Sequence, residues 1–135
     1  MFFNKSFAIK TSIFISISVL VFHFLVLLGV FPDTIVWGGN IKTKSQLYIM
    51  ESVSILINLF MLFILLMKGN YIKQYFSEKS INTIIAIFAI LFVLNTVGNL
   101  MAKTTTETII FTPITAISAV LYIWILLPGK KRNTN

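Results

Sequence analysis

Four long apolar runs separated by short polar segments organise the chain, at about 11–30, 47–67, 81–102 and 109–127. Each is close to the ~20 residues that a helix needs to cross ~30 Å of hydrocarbon at a rise of 1.5 Å per residue. A closed β-barrel is the other way to satisfy every backbone group in lipid, but its strands alternate with period two. These runs do not alternate and are too long for such strands. The pattern therefore predicts an all-α membrane protein, a four-transmembrane-helix bundle forming one integral domain over 1–135. The first run, preceded by Lys5 and Lys10, superficially resembles a secretory leader. Its apolar stretch from Ile13 to Phe31 exceeds the usual ~7–15 residues and no small-residue cleavage pattern follows, which favours a retained helix.

The polar residues that interrupt these runs carry the most information, because hydrocarbon offers them no partner. In the second run Glu51, Ser54 and Asn58 are spaced i, i+3, i+7 and share one helix face. In the third, Asn95 and Asn99 are spaced i, i+4, with Thr96 and Gly98 beside them. The fourth offers Thr112 and Thr115 in its first turns, and the first carries the lone His23.

Charge placement supplies an orientation. Lys5, Lys10, Lys68, Lys73, Lys79, Lys130, Lys131 and Arg132 make eight basic residues on one side of a four-span arrangement, against Lys42, Lys44 and Lys103 on the other. The positive-inside rule then places both termini in the cytoplasm, N-in and C-in. With that orientation the helix rise puts Glu51 roughly 6 Å below the outer surface and Asn58 near the midplane. His23, Asn95, Asn99, Thr112 and Thr115 also fall in the outer half. The inner halves of helices two to four look almost wholly aliphatic or aromatic, apart from Tyr122 and Trp124. The expected architecture is a polar outer pocket closed below by an apolar plug.

Composition agrees: 57% of the residues are hydrophobic and 11% charged, with mean hydropathy +0.92. Soluble domains carry roughly 25% charged residues. The net charge of +7 does not indicate nucleic acid, since the basic residues are scattered between apolar runs and form no single phosphate-binding face. With no cysteine, thiolate metal sites, disulfides and cysteine nucleophiles are excluded. No phosphate-cradling glycine loop, zinc-protease motif or nucleophile elbow occurs, and neither a cofactor nor a metal is expected. The richness in Ile, Phe, Asn and Lys points to a bacterial source and hence to a bacterial inner membrane.

Two loops add detail. The 68–80 loop is short, basic and aromatic, suited to a headgroup interface and to anionic lipid. The 31–46 loop contains Pro32-Asp33 and Trp37-Gly38-Gly39-Asn40; the glycines and Asn40 permit the positive φ of a tight turn. Trp37 is either an interfacial anchor or part of a lid folded over the outer mouth. Lys42, Lys44 and Lys103 are the cations available to Glu51 from that side. Thr104 followed by Glu107 fits a capping box at the start of the fourth helix. Pro113 either kinks that helix or opens it at Thr112-Pro113, with 108–111 entering as irregular chain. Gly98 with Ala102, and Thr115 with Ala119, have the small-xxx-small spacing of close helix packing.

The set Trp37-Gly38-Gly39, Glu51-x-x-Ser54, Asn95-Thr96-x-Gly98-Asn99, Glu107 and Thr112-Pro113 resembles a pattern in small uncharacterised four-helix bacterial membrane proteins, over roughly Phe31 to Thr115. The resemblance implies a fold and no activity.

The leading expectation is a protein whose outer pocket, lined by Glu51, Ser54, Asn58, Asn95, Asn99, Thr112, Thr115, Trp37 and His23, binds a small polar or amphipathic ligand. It would serve as a carrier, sensor or accessory subunit. One alternative is a structural subunit of a membrane complex whose polar residues are interhelical glue. Another is a small enzyme acting on a lipid or isoprenoid, with Glu51 and Glu107 as acid and base. Expected partners are membrane lipid and a second copy or another membrane protein.

Overall fold

The computed structural model describes residues 4–128 and is all-helical over them: α1 (Lys5–Leu27), α2 (Lys44–Lys68), α3 (Glu78–Leu100) and α4 (Thr112–Leu126). A five-residue π-helical turn, Glu107–Phe111, leads directly into α4, and together they form a fourth span from Glu107 to Leu126. All four spans are long and apolar enough to cross a membrane. The chain is thus a multi-pass membrane protein. Lys130, Lys131 and Arg132, which weigh in the charge count, lie outside the described residues.

The helices begin and end where local chemistry satisfies their free backbone groups. Asn4, Thr43 and Ser77 cap α1, α2 and α3, each side chain accepting a backbone N–H from the first turn. Observed starts therefore precede the apolar runs: Lys44 rather than 47, where Lys44-Ser45-Gln46 adds no hydrophobic signal, and Lys5 rather than 11, where Lys5 and Lys10 bracket the apolar Phe7-Ala8-Ile9. α1 ends with Gly29 at φ 73°, its N–H bonded to the Val26 carbonyl and that of Val30 to Leu25. α2 ends in the same way with Asn70 at φ 58° and bonds from Asn70 to Met67 and Tyr71 to Leu66. Both are Schellman endings, in which a left-handed residue lets the chain fold back onto the last carbonyls.

Consecutive helices run antiparallel, and α1 packs on α2 and α4, α3 on α4, and α2 more sparingly on α3. One apolar cluster joins Ala8 and Ile9 of α1, Ile64, Leu65 and Met67 of α2, Ile81 and Ile85 of α3, and Ile125 of α4. This is the terminal end of the bundle. At the other end, here the Trp37 end, Val26, Val36 and Leu47 form a smaller cluster. Exposed apolar side chains cover the outside, Phe14, Leu56, Ile90 and Val120 among them, as a helix facing lipid requires.

The terminal half is less uniformly apolar than the sequence reading expects. Ser12, Ser16 and Ser118 are buried there with Tyr122, and Ser16 is a hydrogen-bonding neighbour of the Tyr122 hydroxyl. Small serines let α1 and α4 approach closely, the usual role of such residues between membrane helices. Gly98, by contrast, packs against nothing: a Cβ built on it meets no atom within 4 Å. Its small-xxx-small spacing with Ala102 serves no contact within the described bundle.

Candidate functional site

At the Trp37 end the four helices part around a cavity of about 440 Å³, within the ~300–1,000 Å³ range of small-molecule sites. α1 contributes Phe22 and His23, α2 Glu51, Ser54, Ile57, Asn58 and Met61, α3 Leu91, Phe92, Asn95 and Asn99, and the fourth span Glu107, Phe111 and Thr115. Val19 of α1, Phe88 of α3, and Val36 and Trp37 of the α1–α2 loop complete the lining. Of the nine residues expected from the sequence, eight line this one space. Thr112 does not; its hydroxyl turns back to donate to the Glu107 carbonyl, five residues earlier and 3.3 Å away.

Glu51 is the centre of the site and is fully buried. Its Oε1 accepts the Trp37 indole N–H at 2.8 Å, and its Oε2 lies 2.6 Å from His23 Nδ1. The expected cation from Lys42, Lys44 or Lys103 is replaced by these two ring nitrogens, brought in by α1 and by the loop. Whichever partner carries the shared proton, the bond ties α1 to α2 and leaves His23 Nε2 without a hydrogen bond among the described residues.

Glu107 is also buried and holds the same loop from the other side. Its Oε1 accepts the Gly38 backbone N–H at 2.7 Å, while Thr104 Oγ1 donates to its Oε2. The capping box expected here does not form. The Thr104 carbonyl does accept the Thr108 N–H, at 3.3 Å, but the glutamate reaches across the bundle to the loop. Pro113 opens the regular part of α4, as one of the two expected arrangements had it, with a π-helical turn in place of irregular chain. Pro113 has no N–H to give, and the Thr112 N–H bonds to Glu107 instead.

The two carboxyls thus pin one strap, residues 36–39, across the cavity mouth. Trp37 lines the cavity, as a lid requires, and stays partly exposed, as an interfacial anchor requires. Trp37, Gly38 and Gly39 have φ of 55°, 66° and 68°. Asn40, expected to share in the turn's positive φ, has φ −93°; Trp37 takes the left-handed conformation in its place. A left-handed tryptophan costs roughly 1–2 kcal/mol, a strain maintained by the indole bond to a buried carboxyl.

The remaining polar residues divide into two groups. Thr96 Oγ1 donates to Thr115 Oγ1 at 3.0 Å and Asn99 Nδ2 lies 3.4 Å from the same oxygen, so these three hold α3 to α4. Ser54, Asn58 and Asn95 line the cavity and form no side-chain hydrogen bond among the described residues. They are not sealed in, because the only fully buried side-chain polar atom without a partner there is Ser12 Oγ. Their polar groups are available to whatever fills the space. No group of residues suited to a metal ion occurs among the described residues.

These features define a four-span membrane protein with a strapped, partly polar cavity at one end. No protein-family model, no curated protein and no solved structure matches the chain.

Proposed function

We propose that the cavity binds a small polar or amphipathic ligand and that the protein acts as a carrier, sensor or accessory subunit of the bacterial inner membrane. One observation carries the reading: Ser54, Asn58 and Asn95 line a cavity within the membrane-spanning region without bonding, among the described residues, to one another or to a neighbouring helix. An unpaired amide in hydrocarbon is costly, and a ligand or water satisfies it. Residues acting only as glue would be paired, as Thr96, Asn99 and Thr115 are. The eight-to-three distribution of basic residues supports cytoplasmic termini, with the strap and cavity toward the outer face.

The test is a set of three substitutions. Asn58→Leu and Asn95→Leu should leave the bundle folded and at least as stable, since each exchanges an unpaired amide for an apolar side chain, yet abolish ligand binding or the associated phenotype. Glu51→Gln should do the same to binding while the protein remains folded. Intact function in all three would end the reading. A stability loss in the asparagine variants with function unchanged would favour the structural-subunit alternative, which the α3–α4 hydrogen bonds support. The lipid-enzyme alternative gains from Glu51 and Glu107 lining one cavity but loses from the strap, which occupies an oxygen of each carboxyl.

A further inference from the structure

We infer that the ligand is an uncharged membrane amphipath whose head sits among Ser54, Asn58 and Asn95 and whose hydrocarbon chain leaves the cavity sideways, between α2 and α3. This rests on the reading of the cavity as a binding site and adds the class of ligand and its route.

The route follows from the seams of the bundle. At the level of the cavity, α1 is joined to α2 by His23 and Glu51. α3 is joined to α4 by Thr96, Asn99 and Thr115. α1 is joined to the fourth span by the edge-to-face rings of Phe22 and Phe111, 5.1 Å apart. The α2–α3 seam differs. Its contacts run from the Phe60–Phe88 ring pair toward the terminal end, where Lys68 reaches Glu78 and Asn82. Beyond Phe60 and Phe88 toward Trp37, no hydrogen bond or ring contact joins the two helices among the described residues. The cavity wall on that stretch is Ile57, Leu91 and Asn95, and these are exposed, Ile57 by 49% and Leu91 by 43%. Side chains that line a cavity and are also open to the outside mark an aperture. Ile57 lies about 20 Å along α2 from its start by the helix rise, at hydrocarbon depth. The aperture therefore opens to acyl chains, while the strap covers the end of the bundle.

The head follows from the lining. No lysine or arginine contributes to it, and two glutamates do. A phosphate or carboxylate head would be desolvated there with no lysine or arginine beside it, and the one histidine of the lining is already committed through Nδ1 to Glu51. Asparagine and serine side chains both donate and accept, which suits a hydroxyl, ester or amide head. A volume of about 440 Å³ holds such a head and the start of a chain, with the remainder in the bilayer.

The experiment uses the full chain in lipid nanodiscs with three photoactivatable probes of identical acyl chain bearing a mid-chain diazirine: a monoacylglycerol, the free fatty acid and a lysophosphatidylglycerol. Labelled positions are mapped by mass spectrometry, and variants are checked for folding by size-exclusion profile. The monoacylglycerol should label residues flanking Ile57 and Leu91, be displaced by unlabelled monoacylglycerol, and exceed either anionic probe at least tenfold. Leu91→Trp, which fills the aperture, should cut labelling about tenfold, whereas Leu94→Trp, on the exposed face outside the cavity, should not. Equal or stronger labelling by an anionic probe would overturn the head assignment. Labelling lost in Asn58→Leu but unchanged in Leu91→Trp would overturn the route and leave the binding site standing. Unsaturable labelling by every probe, indifferent to Asn58→Leu, would overturn both this inference and the binding site.

Discussion

Replacing Trp37 by Phe removes one atom of consequence, the indole N–H that donates to Glu51 Oε1 at 2.8 Å. A smaller aromatic ring stays at the edge of the cavity, and phenylalanine meets the same strain at φ 55°, so the backbone energy changes little and the lost hydrogen bond dominates. A hydrogen bond to a carboxylate contributes about 1.5–3 kcal/mol. The adjoining cavity admits water, which can take the vacated lone pair, so the lower end applies. About 1.5 kcal/mol corresponds to roughly a tenfold rise in the population with the strap released. The readout is hydrogen–deuterium exchange in detergent or nanodiscs. The Gly38 amide, bonded to Glu107 Oε1, and the Asn40 amide, bonded to the Trp37 carbonyl at 3.2 Å, should exchange about tenfold faster. Amides within α2 and α3 should be unaffected. If Gly38 and Asn40 exchange within twofold of the wild-type rate, the indole bond does not hold the strap and the strained Trp37 requires another account.

Gly38→Ala should loosen the strap through its backbone: φ is +66° and the new Cβ would lie 2.9 Å from Asn40 Nδ2, costing about 1–2 kcal/mol, visible as faster exchange in the same loop. Gly98→Ala meets nothing within 4 Å and should be neutral or stabilise the isolated protein by up to about 1 kcal/mol; a fall in oligomer recovery on size exclusion would instead place that face against a second copy. Thr115→Val removes the oxygen shared by Thr96 and Asn99 and should lower resistance to denaturing detergent by about 0.6–1.7 kcal/mol; an unchanged midpoint would deny these residues a role in joining α3 to α4. A topology reporter fused at Asn135 should be active on the cytoplasmic side, and activity only outside would invert the orientation.

The helical frame was legible because helix periodicity and span length are local properties. Glu51, Ser54 and Asn58 could be placed on one face from their spacing alone, and Asn95 with Asn99 likewise; all five line the same space. The buried serines of α1 are hard to read from sequence because a single serine barely lowers a hydropathy average, although Ser12 and Ser16 have the same i, i+4 spacing as Asn95 and Asn99. Depth along the fourth span placed Thr112 beside Thr115, but depth does not say which way a hydroxyl turns, and that of Thr112 is taken by the Glu107 carbonyl.

What local spacing could not reach is the pairing between distant segments. Gly38 and Glu107 are 69 positions apart, and the Thr-x-x-Glu pattern at 104–107 had a sufficient local explanation as a cap, so nothing in the sequence required the glutamate to reach a loop. The open α2–α3 seam is illegible for a deeper reason. In a soluble bundle a helix face turned to solvent is polar, and an unpartnered seam shows as a change in composition. In lipid the faces turned to a neighbour and to the surroundings are equally apolar: Ile57 and Leu91 at the aperture are of the same kind as Ile64 and Ile85 in the core. Only Asn95 differs, a polar residue exposed beside two exposed aliphatic ones. Its presence there is hard to explain if that stretch of α3 faces only acyl chains, and is accounted for if the aperture admits the polar head of an amphipath that passes it on the way to Asn58.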